Sequence, residues 1–294
     1  MQTKQQIQQL LGSAQVRPNK RLGQHFLIDL NLMKLLVDLA DIGKDDVVLE
    51  VGCGTGSLTQ ALAEKAGGVI AVEMDKPLAR ITERELAEAK NVEVIHTDIL
   101  ETKHRIDSTV MRVLESASKK HAGRFLLVAN LPYNVASAVM LNLVTGSVTA
   151  DGMYVTVQKE VADRMTAACG SGDYGTLSIF LAATGDARIE RRLKPAVFWP
   201  QPQVDSAMVS FIRKTEKVSR IQNMELFGNV VSLFMQHRRK MLKNCTKLAT
   251  GSLVEIDNWQ DIFERSSIDT HKRPEQLSAD EYVGIANACY DALR

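Results

Sequence analysis

Hydrophobic positions in the first two thirds of the chain alternate between short apolar runs and longer segments with helical spacing. The runs at 47–51, 69–73, 92–98, 125–129 and 153–158 predict buried strands, and apolar residues recur every three or four positions between most of them. Strands that alternate with helices in this way predict a mostly parallel sheet covered by helices on both faces. The pattern therefore indicates an α/β fold.

One insert interrupts the alternation of strands and helices, and a pair of strands ends it. Residues 101–122 predict an irregular insert that contains one amphipathic piece, and segments 187–193 and 205–213 predict a closing pair of strands. Both features belong to the α/β domain, which we place at 29–214.

The last part of the chain has a different character. From about residue 215 the strand pattern ends, and helical periodicity takes over at 224–244, 259–266 and 278–293. We therefore predict a small helical domain over 215–294, preceded by the α/β domain and by a basic N-terminal arm over 1–28.

Composition narrows the class of protein. No apolar run approaches the roughly 20 residues needed to cross a bilayer, and the glutamine-rich start has no secretory signal pattern. The four cysteines are far apart and form no CxxC pair, so neither a metal site nor a disulfide framework is expected. We expect a cytoplasmic protein, away from membranes and without a metal.

The net charge of +1 conceals a segregation of charge. Residues 1–28 carry four Lys or Arg and no Asp or Glu, while residues 191–250 carry twelve Lys or Arg against three acids. Two basic clusters of this kind indicate a face for a polyanion. The candidate phosphate contacts are Arg17, Lys20 and Arg21 in the arm, and Arg238, Arg239, Lys240 and Lys243 on a predicted helix.

A glycine-rich turn follows the first predicted strand. The stretch LEVGCGTGSL, residues 49–58, runs from a strand through Gly52, Gly54 and Gly56 into a helix, which lets backbone approach a ligand at a helix N-terminus. Ser57 replaces the third glycine of a dinucleotide fingerprint. The spacing resembles the nucleoside loop of S-adenosylmethionine-dependent methyltransferases, although a purely structural turn stays open at this point.

Acidic residues end the next two strands. Glu73 is suited to accept the two hydroxyls of a ribose, and Asp98 is suited to accept an adenine amino group. Because ligands bind at the carboxyl ends of parallel strands, we expect these carboxylates to lie beside the glycine turn.

The fourth strand ends in Asn130-Leu131-Pro132-Tyr133, which fits the (Asp/Asn)-x-Pro-Tyr motif of methyltransferases that modify an amino group conjugated to a ring or carbonyl. The Asn130 side-chain oxygen and the Leu131 carbonyl are two acceptors for the two hydrogens of such an amine. Pro132 fixes the backbone that aims the carbonyl, and Tyr133 offers a ring on which a flipped base stacks. Adenine, cytosine and glutamine remain open as targets from this motif alone.

Seven segments together closely resemble the ribosomal RNA adenine N6,N6-dimethyltransferases, over about residues 17–213 and more loosely beyond. These are RPNKRLGQHFLID, LEVGCGTGSLT, AVEMD, HTDIL, VANLPYNV, the GDYG loop and VFWPQPQVDSAMV. The resemblance, strongest to the small-subunit enzymes of bacteria, implies a class I methyltransferase domain with a Rossmann-like sheet and a C-terminal helical domain that helps to seat the enzyme on RNA.

The family's functional positions correspond to particular residues here. The resemblance implies S-adenosylmethionine contacts at His25, Leu27, Gly52, Glu73, Asp98 and Asn130, and catalysis by the Asn130–Tyr133 tetrad. It further implies that Phe198 holds the target adenine against Tyr133. His25 stands where the family commonly has Asn.

The expected activity is dimethylation of two adjacent adenosines in the 3′-terminal hairpin of small-subunit (16S) ribosomal RNA, during small-subunit biogenesis. The expected partner is that RNA or the immature small subunit, and the free enzyme is expected to be a monomer. The alternatives are a large-subunit RNA methylase of the resistance type, a protein glutamine methylase, and a non-catalytic RNA-binding assembly or transcription factor. The basic clusters disfavour the protein methylase, and the intact cofactor residues disfavour the non-catalytic factor.

Overall fold

The computed structural model describes residues 1–19 and 22–294, and these form two compact units. The first unit comprises Met1–Ala162 and Arg188–Ile212, and the second comprises Asp163–Ala187 and Arg213–Arg294. Residues 163–187, which the sequence pattern placed within the α/β domain, thus belong to the second unit. The functional division into arm, methyltransferase domain and RNA-binding domain stays a prediction.

The main sheet lies in the first unit and confirms the α/β class. The strands are β1 (Phe26–Leu27), β2 (Val47–Val51), β3 (Gly68–Glu73), β4 (Val92–His96), β5 (Leu100–Thr102), β6 (Arg105–Ile106), β7 (Phe125–Asn130), β8 (Gly152–Gln158), β9 (Gly185–Leu193), β10 (Phe198–Trp199) and β11 (Ser206–Arg213). Seven of them form one sheet in the order β4, β3, β2, β7, β8, β11, β9. The first five are parallel, β11 is antiparallel to β8, and β9 is the edge strand beyond β11.

Helices connect these strands and form most of the second unit. They are α1 (Lys4–Ser13), α2 (Leu30–Leu39), α3 (Ser57–Ala63), α4 (Lys76–Glu85), α5 (Ser108–Lys120), α6 (Ala136–Thr145), α7 (Lys159–Met165), α8 (Thr176–Thr184), α9 (Thr215–Val218), α10 (Met224–Gln236), α11 (Leu242–Cys245), α12 (Trp259–Arg265) and α13 (Ala279–Ala292). Within the described ranges, none of the helices combines the length and apolar character that a membrane span requires.

The N-terminal segment, predicted only as a basic arm, contains a packed helix. Thr3 and Gln6 form a reciprocal capping box at the start of α1, and Ile7 and Leu11 are buried against Leu78 on α4. Apolar residues at helical spacing explain this packing, because they give α1 one face that is stabilised by removal from water. Lys20 and Arg21 lie outside the described residues.

The insert at 101–122 is regular, contrary to expectation. Strands β5 and β6 form a hairpin, and α5 follows directly with Asp107 as its N-cap. The Asp107 carboxylate accepts the backbone N–H groups of Thr109 and Val110, which satisfies two of the donors that a helix start leaves unpaired. Val110 and Leu114 bury one face of α5, so the amphipathic piece is the helix of a βα segment.

The predicted continuous helix over 224–244 is wrong. Helix α10 ends at Gln236, and the chain turns before α11 begins at Leu242. The Leu242 side chain is buried and its N–H donates to the carbonyl of Lys272 at 3.0 Å, which draws the chain away from the helix axis. The cations Arg238, Arg239 and Lys240 therefore follow a helix C-terminus, where positive charge is favourable.

Aromatic side chains form the core of the second unit. The Phe234 ring contacts Trp259, Phe263 and Tyr282 at centroid distances of 6.1–6.3 Å. The Tyr282 hydroxyl is buried and donates to the carbonyl of Pro274, as a phenol removed from water requires. This unit thus has a core of its own.

Candidate active site

A cleft opens where β2, β3, β4 and β7 end, and we call it the strand-end cleft. These strands are neighbours in the sheet, so their carboxyl ends bring together residues that are up to eighty positions apart in the chain. Seven of the predicted cofactor-binding and catalytic residues line the cleft: His25, Leu27, Gly52, Glu73, Asp98, Asn130 and Pro132. Leu131, Tyr133 and Phe198 are not part of its lining.

The glycine turn forms the floor of this cleft and fits against the tetrad. Gly52 has φ +79°, and a Cβ there would lie 2.8 Å from Cγ of Pro132. Gly54 has φ +63°, and a Cβ there would lie 2.9 Å from the Phe26 ring. Both positions thus require glycine for conformation as well as for space.

Glu73 ends β3 with its carboxylate largely buried in the cleft. One carboxylate oxygen accepts the Gly54 N–H and the other accepts the Asp75 N–H, both at 2.9 Å. Burial raises the pKa of Glu73 above its ordinary value, and the two backbone donors oppose that rise. Each oxygen keeps a lone pair, so the group is oriented to accept two further donors, such as the hydroxyls of a diol.

Asp98 and Met74 lie at the open side of the cleft. Asp98 is exposed, and one of its carboxylate oxygens accepts the Leu100 N–H at 3.0 Å, leaving acceptor capacity free. Met74 follows Glu73 and is 50% exposed, which is unusual for a large apolar side chain. An apolar surface beside a carboxylate suits a flat heterocycle with an amino group. Met74 was missed in the sequence because an isolated methionine has no diagnostic pattern.

Glu50 is the second residue that sequence reasoning missed. Its side chain is 2% exposed and lines the cleft beneath the glycine turn, and Oε2 accepts no hydrogen bond from any residue within 1–19 and 22–294. Burial raises the pKa of Glu50 to about 8; the nearby Thr59 side chain opposes the rise, and the charge of Glu73 adds to it. A buried carboxyl oxygen without a partner is costly, and a cationic ligand in the cleft would relieve that cost.

The tetrad is held by hydrogen bonds on both sides of Asn130. The Asn130 amide nitrogen donates to the backbone carbonyl of His25 at 2.8 Å, and its oxygen accepts from the Thr156 hydroxyl. The Leu131 N–H donates to the backbone carbonyl of Thr156 at 3.1 Å. The carboxamide of Asn130 is therefore fixed at the edge of the cleft.

The Tyr133 ring is stacked on His25. The two ring centroids lie 5.6 Å apart with an interplanar angle of 25°. The Tyr133 hydroxyl is 2.8 Å from that of Ser206, and His25 Nδ1 lies 2.6 Å from the carbonyl of Pro200. Because a carbonyl only accepts, His25 carries its proton on Nδ1.

Phe198 lies apart from this stack. It is 2% exposed, pairs across from Leu27 between β10 and β1, and packs in the main apolar cluster of the first unit. The expected sandwich of a base between Phe198 and Tyr133 is therefore not preformed, since imidazole and not phenylalanine faces the Tyr133 ring. The stacking role of Phe198 stays a prediction that requires its ring to become accessible.

The N-terminal segment contributes to the cleft in a way the sequence did not predict. Ile7 lines the cleft, and Gln2 is buried against the glycine turn. The Gln2 backbone N–H donates to the Ser57 hydroxyl at 2.7 Å, and its side chain exchanges hydrogen bonds with Thr55. The capping box at Thr3 and the spacing of apolar residues after it were the signals available in the sequence.

The basic residues of the second unit form a separate surface. Arg239, Lys240, Lys247 and Arg273 line a shallow depression together with Met241, Asn244 and Leu248. Arg238 is instead paired with Glu275 at 3.0 Å, and Lys243 lies 3.2 Å from His271. Arg17, in the first unit, is exposed. We refer to Arg239, Lys240, Lys247 and Arg273 as the basic cluster.

Comparison with known proteins identifies similar chains along nearly the whole length. The family described as "Ribosomal RNA adenine dimethylase" matches residues 15–289. A protein of Alkaliphilus oremlandii named "Ribosomal RNA small subunit methyltransferase A" is 39% identical over 272 residues, covering 92% of this chain and 91% of its own. A protein of Halothermothrix orenii with the same name is 36% identical over 287 residues, covering 96% and 91%.

Two solved structures share the fold. A dimethyladenosine transferase from Plasmodium falciparum superposes with a TM-score of 0.70 at 23% identity, covering 89% of this chain and 96% of its own. The 23S rRNA methyltransferase ErmE superposes with a TM-score of 0.60 at 20% identity, covering 90% and 99%. At these identities the likeness establishes the class I methyltransferase architecture.

Proposed function

The chain belongs to the ribosomal RNA adenine dimethylase family, and we propose that it dimethylates two adjacent adenosines in the 3′-terminal hairpin of small-subunit ribosomal RNA. It is an S-adenosylmethionine-dependent rRNA adenine dimethyltransferase. The observation that carries the proposal is the convergence of Gly52, Glu73, Asp98 and Asn130 on one cleft in a chain that matches this family over residues 15–289.

The strand-end cleft fits S-adenosylmethionine. Glu73 is oriented to accept the ribose hydroxyls and Asp98 to accept the adenine amine, and the left-handed turn at Gly52 places its backbone in the lining of the cleft. The buried, unpartnered oxygen of Glu50 suits a ligand that carries positive charge. When bound, S-adenosylmethionine supplies an electrophilic methyl group on a sulfonium. His25 and Leu27 would contact it from the N-terminal side of the cleft.

The tetrad would prepare the target nitrogen. The N6 lone pair of adenine is delocalised into the ring, so the amine is a weak nucleophile until its nitrogen becomes pyramidal. The Asn130 carboxamide oxygen and the Leu131 carbonyl would each accept one N–H of that amine, and the ring of Tyr133 would support the base. The proton becomes acidic once the nitrogen is alkylated, and therefore no strong general base is required.

The basic cluster supports the RNA substrate. Its four cations are exposed, and the apolar side chains of Met241 and Leu248 lie among them. Such a surface suits phosphates with adjoining sugars or bases. Arg238 and Lys243, also expected to contact RNA, already have partners in the second unit, so we propose weaker roles for them. Arg17 remains a proposed contact from the first unit.

The alternatives are not favoured. The curated relatives named above are small-subunit enzymes, which supports this target over a large-subunit one. The residues proposed for catalysis are intact, which opposes a purely non-catalytic role. We further propose that the free enzyme is a cytoplasmic monomer.

A direct assay tests the function. Purified protein with methyl-labelled S-adenosylmethionine should label small subunits that lack the modification, and nuclease digestion should yield dimethyladenosine from the 3′-terminal hairpin. Already modified small subunits are the matched control and should take up no label. Label confined to large-subunit RNA or to protein would contradict the proposal.

Removing charge from the basic cluster should weaken RNA binding and flatten its salt dependence. Each lost phosphate contact lowers the slope of log affinity against log salt by about 0.7–0.9. The double variant Arg239→Ala/Lys240→Ala should therefore reduce the slope by roughly 1–2. Filter binding at several salt concentrations measures it.

The control for this variant is Arg265→Ala. Arg265 is also a partly exposed cation of the second unit, but it is paired with Asp261 and Asp291. Its removal should leave the salt slope unchanged. If the double variant keeps the slope of the unaltered protein, the basic cluster does not contact RNA.

A further inference from the structure

Thr156 is a buried polar residue beside the tetrad. It lies on β8 directly across from Asn130 on β7, and its side chain is fully buried. Strand positions of this kind are usually filled by apolar residues. A hydroxyl there needs a partner, and the partner it has is the Asn130 carboxamide.

The contacts of Asn130 determine which way its amide points. On one side the His25 carbonyl can only accept, so the Asn130 nitrogen must face it, as the 2.8 Å hydrogen bond requires. The oxygen then faces Thr156, whose hydroxyl donates to it. The His25 carbonyl thus excludes the flipped amide, in which the two oxygens would face each other, and the Thr156 hydroxyl restrains the carboxamide in the orientation that remains.

Thr156 also contacts Leu131, whose carbonyl is the second proposed acceptor for the target amine. Its backbone carbonyl accepts the Leu131 N–H at 3.1 Å, just beyond the end of the β7–β8 pairing. One residue therefore orients the side chain of Asn130 through its hydroxyl and the backbone of Leu131 through its carbonyl.

We propose that Thr156 is a positioning residue for methyl transfer, which rests on the function proposed above. A carboxamide oxygen has two lone pairs, and Thr156 occupies one of them. The orientation this imposes leaves the second lone pair for an N–H of the target amine. Without the hydroxyl, Asn130 keeps only the His25 contact and rotates more freely, so its oxygen is less often in the productive position.

The test compares Thr156→Val, which keeps the shape and removes the hydroxyl, with Thr156→Ser, which keeps the hydroxyl. Single-turnover methylation of unmodified small subunits should slow about 10- to 100-fold in Thr156→Val, as misplacement of a reacting group does. Thr156→Ser should retain at least about half of the rate. Calorimetry should show that the affinity for S-adenosylmethionine changes far less than the rate, by no more than about threefold in either variant, because only one of the proposed cofactor contacts, that of Asn130, is loosened.

A readout independent of turnover is the side-chain amide of Asn130 in ¹⁵N-labelled protein without cofactor. Its resonance pair, assigned by its loss in Asn130→Asp, should shift or broaden in Thr156→Val and stay near its original position in Thr156→Ser. This reports the orientation of the carboxamide directly. If Thr156→Val fails to fold, Thr156→Ala replaces it in both experiments.

Three results would overturn the proposal: an unchanged rate and amide resonance in the hydroxyl-free variant, equal impairment of Thr156→Ser, or loss of cofactor binding along with the rate. The last two would indicate a packing role. The unaltered protein is measured alongside. If it fails to methylate small subunits, the proposed function fails, whereas an active protein that is insensitive to Thr156→Val contradicts only the positioning role.

Discussion

Replacing Asn130 with alanine is expected to abolish methyl transfer while leaving RNA binding nearly unchanged. The Asn130 oxygen is the proposed acceptor for one hydrogen of the target amine, and the contact matters most when the nitrogen becomes pyramidal. Interactions made chiefly in the transition state affect the rate and not the affinity. Loss of one such preorganised group typically costs a factor of about 10²–10³, and we expect at least that much here.

The structural consequences of this substitution should be small. Asn130→Ala removes one hydrogen bond to the His25 carbonyl and leaves the Thr156 hydroxyl without its acceptor, a cost of about 1–3 kcal/mol. The melting temperature should therefore fall only modestly. Single-turnover kinetics with labelled cofactor measures the rate, and filter binding measures RNA affinity.

The matched control is Asn142→Ala. Asn142 lies on α6, and its side chain donates to the carbonyl of Ala138 within the same helix. It is the same chemical change outside the strand-end cleft and should leave the rate unchanged. If Asn130→Ala retains turnover, or loses RNA binding together with turnover, the proposed role of Asn130 is wrong.

The second large effect is expected at Glu50. Burial raises the pKa of this carboxyl from 4.5 to about 8, so the folded protein retains a proton that the unfolded chain releases. The contribution of Glu50 to stability is fully present below about pH 4.5 and is lost as the pH rises through about 8. The free energy of unfolding of the cofactor-free protein should fall by up to about 1.4 kcal/mol per pH unit in this window.

Glu50→Gln removes this titration, so the difference in stability between the variant and the unaltered protein should depend on pH. At pH 8 the cofactor-free variant should melt several degrees above the unaltered protein, and the advantage should shrink towards pH 5. Scanning calorimetry from pH 5 to 8 measures it. Glu64→Gln, the same change at an exposed residue, is the control and should show no such pH-dependent difference.

The same variant should bind S-adenosylmethionine less tightly at pH 8, by about tenfold or more, because a neutral amide cannot balance the charge of the ligand. Greater stability combined with weaker binding is the distinguishing result. If Glu50→Gln is less stable than the unaltered protein at pH 8, the ionised Glu50 carboxylate does not destabilise the cofactor-free protein. Its proposed role in binding the cofactor then loses support.

Much of the strand-end cleft was predictable because parallel strands carry functional residues at one end. Gly52, Glu73, Asp98 and Asn130 each follow or end a short apolar run, and the structure brings all four to the same cleft. Spacing along the chain was sufficient for this prediction because alternation of strands and helices dictates which ends of the strands meet.

Residues whose importance depends on distant partners were not predictable. Glu50 lies within an apolar strand, and only the sheet shows that it is buried beside Glu73 without a partner for one oxygen. Thr156 is unremarkable in sequence until β7 and β8 pair in register. Phe198 was expected to hold the target adenine against Tyr133; the pairing of β10 with β1 leaves its ring in the core, and its stacking role stays a prediction.

The amino-acid sequence by itself determined the α/β class, the strand ends that form the cleft, the tetrad and the family, because these depend on local periodicity and on contiguous motifs. Only the tertiary structure decided where α1 packs, that α10 ends at Gln236, and which contacts orient Asn130. Those features depend on which side chains lose contact with water and which hydrogen bonds form between segments far apart in the chain. No local pattern specifies such contacts, because their free energy exists only once the sheet has assembled.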